Sequence, residues 1–239
     1  MKTRYLLTIL TYILVQFSGY LFGFKLLLSM GMSNDSALAI WTVISFTVGL
    51  IIVMILLVPD IKQRHDSRER VSRLVAAQWA IGGVFLAFFA QYVAAIIETY
   101  VFGIEVGSEN TDMLVEIAKA TPIFIIVTSI VGPIFEEIIF RQIIFGSLYK
   151  KFNFWLAAIF SSIIFAVVHM DFAHLLVYTA MGFVFSYLYV KTKRILVPIV
   201  AHVSMNTFVV VIRFVFADDL EKLQQQYDQM QSFISLLNL

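Results

Sequence analysis

The sequence predicts an all-α, polytopic transmembrane helix bundle of about seven spans. Three observations carry this: the composition, the lengths of the apolar stretches, and the alternation of basic loops between them. Hydrophobic residues make up 60% of the 239 and charged residues only 14%, whereas soluble domains lie nearer half and a quarter. Mean hydropathy is +0.89. Cysteine is absent, so disulfides, thiolate metal sites and a cysteine nucleophile are excluded. A net charge of +1 gives no electrostatic footprint for a nucleic-acid partner.

Crossing a bilayer core takes about 20 mostly apolar helical residues. Seven stretches reach or approach that length, at roughly 5–29, 37–58, 74–97, 121–147, 154–170, 172–190 and 195–217. The first follows Lys2 and Arg4, is longer than a signal-peptide core and lacks a small-x-small cleavage site, so it is expected to stay. The fifth and sixth are short and separated only by a Met170–Asp171 corner. In lipid each stretch must satisfy its own backbone, which makes each a helix. Three parts are expected: an N-terminal three-span scaffold at 1–120, a four-span core at 121–217 and a tail at 218–239.

Loop charge sets the expected orientation. The loop at 59–73 carries Lys62, Arg64, Arg68, Arg70 and Arg73, and basic loops stay cytoplasmic. Lys2 and Arg4 lie one pair of crossings from the next basic pair but on the same side, as do Lys150, Lys151, Lys191, Lys193 and Arg194. The loop near 98–120 is acidic and falls on the opposite side, with Glu98, Glu105, Glu109, Asp112 and Glu116. An N-terminus inside and a C-terminus outside fit every basic cluster. In the tail, Leu220, Leu223, Tyr227, Met230, Ile234 and Leu237 form one apolar stripe, which suggests an amphipathic helix on the membrane surface. Arg213 is expected to reach outward to Asp218 or Asp219.

Ionisable groups inside a span are costly and call for a reason. The fourth span holds three within six residues: Glu136, Glu137 and Arg141. Glu137 and Arg141 are four apart with the acid first, the favourable order for an intrahelical pair, while Glu136 points about 100° away and lacks such a partner. Gly132 and Pro133, just upstream, weaken the helix before the acids. The fifth span ends with Phe165 and His169 on one face, and the seventh carries His202 and Asn206 on one face. A single intramembrane His or Asn is commonly helix–helix glue worth about 0.6–2 kcal/mol. The joint set exceeds what packing needs. His65 and His174 read as solvated and span-end residues.

In this order, Glu136-Glu137-x-x-x-Arg141, Phe165-x-x-x-His169 and His202-x-x-x-Asn206 resemble the CAAX-protease and bacteriocin-processing (CPBP or Abi) family of intramembrane proteases. The resemblance covers about residues 121–210. It implies a hydrolase acting on a membrane-associated protein or peptide, with Glu136 activating water, aided by His169. His202 and Asn206 would stabilise the oxyanion, and Glu137, Arg141 and Phe165 would support them. No cofactor is required in that reading.

The alternatives stay open at this point. Glu136, His169 and His202 could form a three-ligand zinc site, although His-Glu-x-x-His is absent. A catalytically silent scaffold or immunity protein of the same fold is the runner-up, and an ion-coupled transporter a weaker rival. Substrate identity and oligomeric state have no sequence signature. A bacterial plasma-membrane location is expected. One geometric tension is explicit: Glu136 lies ~22 Å and His202 about 20 Å from the outer ends of their spans, but His169 only ~8 Å. The three meet only if span five starts inside the headgroup region, is steeply tilted, or has its corner at 170–172 sunk in the protein, and the last is expected.

Overall fold

The computed structural model describes residues 3–65, 70–105, 107 and 109–216, with scattered helical positions in the tail at 222, 225, 226, 229, 230, 232 and 234. Among the described residues all regular structure is helical. Helix α1 is Thr3–Ser29, widened by a π-turn at Gly19–Gly23. Helices α2 (Asn34–His65) and α3 (Arg73–Phe102) follow. A shorter α4 (Glu109–Ala120) occupies the acidic loop. Helix α5 is a chain of pieces, Phe124–Ile126, Val127–Val131, Gly132–Glu137, Ile138–Phe145 and Gly146–Leu148. Helices α6 (Phe154–Val168), α7 (Leu175–Thr192) and α8 (Leu196–Val215) complete the bundle.

The seven expected stretches therefore correspond to α1, α2, α3, α5, α6, α7 and α8. Five helices are long and apolar enough to cross a membrane, and α6 is a shorter apolar one. The tail stripe lies mostly outside the described residues, and its Met230 and Ile234 are helical and exposed. Starts and stops follow local chemistry. Ser72 accepts from the Val75 N–H at 3.3 Å and Asn153 from the Leu156 N–H at 3.0 Å, capping α3 and α6. Gly103, at φ 70°, ends α3 in the left-handed conformation that costs glycine nothing.

Two apolar clusters build the interior. One joins Ala80, Ala87 and Ala94 of α3 to Met181, Phe185 and Leu188 of α7 and Val197, Ala201 and Met205 of α8. The other joins Tyr5 and Tyr12 of α1, Val53 and Leu57 of α2, Phe135, Ile139 and Phe140 of α5, and Phe165 of α6. Small residues set the closest crossings, as expected where helices pack in lipid. A Cβ on Gly182 would lie 2.9 Å from the Ser162 Cβ, so α6 and α7 meet at a glycine. At the basic end, the Tyr5 hydroxyl donates to Asp60 at 2.8 Å and Arg4 pairs with the same carboxylate, clasping α1 to α2.

Helix α4 was not anticipated. Ile117 and Ala118 bury its inner side against Ala39 of α2 and Phe124 of α5. Arg213 donates to Asp112 of α4 and so ties α8 to the acidic segment; its expected partners Asp218 and Asp219 lie outside the described residues.

Candidate active site

The polar motifs meet where the two apolar clusters adjoin. Helix α5 delivers Glu136 and Glu137 from an α-helical turn held between π-helical stretches at Val127–Val131 and Ile138–Phe145. Such wide turns free carbonyls from the regular ladder and recur at functional sites. Pro133 sits at the start of the intervening turn, where its missing N–H is tolerated. Gly132 leaves room there, because a Cβ would stand 3.1 Å from the Val127 carbonyl oxygen, which would have to give way, and 4.0 Å from Glu136 Oε1.

The two glutamates differ sharply. Glu137 is fully buried and both its oxygens are engaged: Oε1 accepts from His202 Nδ1 at 2.9 Å, and Oε2 lies 3.2 Å from Arg141 Nε. Burial of such charges is tolerable only because they are paired. The Arg141 guanidinium, also fully buried, lies 4.5 Å from the Phe165 ring centroid and 5.6 Å from that of Phe185, within cation–π reach. Glu136 keeps 16% side-chain exposure and makes no hydrogen bond among the described residues; its Oε2 stands 3.9 Å from His202 Nε2.

Phe165 links the parts. Its ring meets His169 edge-on at 4.5 Å, Phe140 at 5.2 Å and His202 at 6.0 Å. Its carbonyl accepts from His169 Nδ1 at 2.8 Å, which explains the four-residue spacing and leaves Nε2 as the open acceptor. Tyr178 of α7 stacks on the His169 ring at 4.2 Å. Phe185 of α7 stacks on His202 of α8 at 4.6 Å. Asn206 donates to the Thr128 carbonyl, within the first π-turn, at a long 3.4 Å. His169 lies within electrostatic reach of Glu136, His202 and Arg141, so the three histidine and glutamate motifs converge.

Residues 118–208, which hold all three motifs, match the family described as type II CAAX prenyl endopeptidase Rce1-like. The chain is 47% identical to a protein named membrane peptidase YdiL from Bacillus subtilis, over the full length of both. It is 34% identical to the membrane-embedded CAAX protease MroQ of Staphylococcus aureus, over 92% of this chain and 93% of that one. The chain belongs to the Rce1-like CAAX protease family. A UPF0177 protein, YxdF of Lactococcus lactis, is 30% identical over 54% of this chain and 73% of its own. No solved structure matches.

In this Rce1-like membrane peptidase two residues that sequence reasoning passed over are also engaged. Tyr12 of α1 packs edge-on against Phe135 at 5.1 Å and Phe140 at 5.7 Å, with its hydroxyl taking a hydrogen bond from Gln16 at 2.8 Å. Glu136 lies within electrostatic reach of that hydroxyl. A tyrosine in an apolar span carries no spacing signal, so only its contacts single it out. Glu98 was read as one of several loop acids, yet it is buried at the C-terminal end of α3. Its Oε1 accepts from the Leu176 and Val177 N–H groups at 2.9 and 3.0 Å, and Oε2 faces His174 Nδ1 at 3.0 Å. That carboxylate caps α7 from another helix.

The corner reads differently from the expectation that protein would enclose it. Met170 and Phe172 are 71% and 57% exposed. His169 reaches the site because α6 is short: 15 residues span ~22 Å. Glu98 then holds the start of α7 one turn below the end of α3 at Phe102.

Among the described residues no group of three His, Asp or Glu side chains is arranged to hold a metal ion. In the Glu136–His169–His202 set that could form a zinc site, His202 Nδ1 is already given to Glu137, leaving Nε2 and a Glu136 oxygen as the pair facing each other.

Proposed function

We propose that this membrane peptidase hydrolyses a peptide bond in a membrane-associated protein or peptide by means of a water molecule activated by Glu136. The observation that carries the reading is the contrast between adjacent carboxylates. Glu137 is consumed by Arg141 and His202, whereas Glu136 is partly open and uncommitted. An open carboxylate beside His202 and His169 is placed to take a proton from water.

In this mechanism the water oxygen bonds to the scissile carbonyl carbon while Glu136 takes a water proton. His169 accepts the second water hydrogen bond at Nε2, since its Nδ1–H is held by the Phe165 carbonyl. Charge then develops on the carbonyl oxygen. His202, with Nδ1–H held by Glu137, offers Nε2–H to that oxygen as the imidazolium. Asn206 supplies the second donor by exchanging its long bond to Thr128 for the oxyanion. Collapse breaks the C–N bond, and protonated Glu136 returns its proton to the leaving amine.

The relative named as a CAAX protease supports a CAAX-type substrate, with bacteriocin or pheromone processing as the other members of the same class. We assign the chain to a bacterial plasma membrane with the N-terminus and basic turns cytoplasmic, from the loop-charge alternation. The decisive test is cleavage of a farnesylated CAAX reporter and of membrane-tethered peptides by purified protein, with metal content measured on the same samples. Activity in metal-free protein that falls by about 10²–10⁴-fold in both Glu136→Ala and His169→Ala supports the glutamate mechanism. Activity restored only by zinc would make Glu136 a ligand. Full complementation of a deletion strain by Glu136→Ala would replace the protease with the scaffold reading.

A further inference from the structure

A second site lies away from the glutamates. A groove of about 940 Å³ runs between α3 and α8 at the end of the bundle that carries the basic turns. Arg70, Arg73 and Arg194 line it, together with an apolar floor that includes Ala77, Ile81 and Val200. Ile81 is 64% exposed and Val200 47%, so the groove opens sideways where these spans face hydrocarbon. Alanines at 76, 77 and 80 keep the α3 wall low.

Its polar end is built for an anion. Two long helices begin there, α3 at Arg73 and α8 at Leu196, and both direct their positive dipole ends to the same place. Arg194 Nε donates to the Val71 carbonyl at 2.7 Å, and the Val71 N–H donates to the Thr192 carbonyl at 3.3 Å. These bonds join the two turns and fix the guanidinium at the groove mouth. A free phosphate would satisfy the charges but leave the apolar floor unused. An amphiphile with an anionic head and a hydrocarbon tail uses both. Val200 is two residues before His202, about 200° around the helix, so the groove lies on the other side of α8 from the catalytic histidine.

We propose that this groove binds one anionic phospholipid, its phosphate at Arg73 and Arg194 and an acyl chain along Ala77, Ile81 and Val200. The bound lipid holds α3 against α8 and so steadies the helix that carries His202 and Asn206.

Native mass spectrometry of the detergent-purified full chain tests it, with phosphatidylglycerol and phosphatidylcholine as the lipids. The wild type is expected to retain one phosphatidylglycerol in preference to phosphatidylcholine. Arg73→Gln should reduce that preference about fivefold, the effect of one surface cation on an anionic lipid. Ala77→Phe, which leaves every charge in place but fills the floor, should reduce it as well. Both positions are exposed, so folding is not at stake. Lys150→Gln with Lys151→Gln, cations on the same side but outside the groove, should change nothing. Equal loss in the lysine variant would show general surface attraction and overturn the site, as would full retention in Ala77→Phe. Competition by inorganic phosphate as effective as by the lipid would replace the phospholipid with a simple anion.

Discussion

Glu136 and Glu137 are adjacent in the chain, yet one is held from both sides and the other is left open, and substitutions should separate their roles. Removing Glu137 leaves Arg141 buried without its counter-charge, a loss of about 3–5 kcal/mol for a broken buried pair. Glu137→Ala is therefore expected to lower the unfolding temperature in detergent and the yield of folded protein. Glu136→Gln should leave both near wild type while abolishing cleavage. A Glu137→Ala protein as stable as wild type would show that Arg141 does not depend on that carboxylate. Phe165 acts at the same scale through its ring. Phe165→Leu preserves burial but loses the contacts to Arg141 and His169, and cation–π and edge-on ring contacts contribute about 0.5–2 kcal/mol. It should reduce kcat more than KM, because His169 is displaced from the water and not from the substrate. An unchanged kcat would remove Phe165 from the positioning machinery.

The elements carry information that periodicity does not. The seven apolar stretches were legible because burial in lipid writes itself as run length, and α4 was missed because attention to its charges hid Leu114, Ile117 and Ala118 at helical spacing. The π-turns of α5 were beyond reach: Gly132-Pro133 signals a weakened helix, but not which carbonyls are released. Gly132→Ala tests that detail. Alanine normally stabilises a helix interior over glycine by about 0.5–1 kcal/mol. Here its Cβ would crowd the Val127 carbonyl and displace the turn that presents Glu136. Cleavage is expected to fall by roughly tenfold or more with stability unchanged or higher, since small misplacements of reacting groups cost large factors. Wild-type turnover would mean that the turn absorbs the methyl group. Glu98 is the corresponding device for α7. Glu98→Ala removes a cap made across helices, at a cost of about 0.5–2 kcal/mol, and hydrogen exchange should rise first at Leu176 and Val177. Exchange that rises evenly along α7 would contradict a local cap.

At the scale of the whole molecule, the three polar motifs were readable because charges in apolar helices are expensive and therefore conspicuous, and because each pair is one helical turn apart. Tyr12 and the Glu98 cap were not, since a span tyrosine is cheap and a loop acid ordinary until the fold brings a partner to it. The depth mismatch of His169 was also visible in advance, and its resolution has a physical consequence. Helix α6 is only ~22 Å long and α7 about 27 Å, against a hydrocarbon core of about 30 Å. The outer side of α6 is nonetheless apolar, with Trp155, Phe160, Ile164 and Val167 exposed. The bilayer must thin beside this hairpin, or the corner with Asp171 and His174 is drawn into hydrocarbon. Mismatch costs fractions of a kcal/mol per ångström, which is enough to shift populations but not to unfold the bundle. In a thick bilayer that cost falls on the connection that holds His169 against Tyr178. Proteoliposomes with 14-carbon acyl chains should therefore support cleavage several-fold faster than those with 22-carbon chains at equal protein incorporation. Lengthening α6 by one turn before His169 would not rescue the thick bilayer, because it would rotate and lift the histidine out of the site. Rates that are flat across chain length would mean that the protein interior shields the corner and that the short hairpin imposes no demand on the lipid.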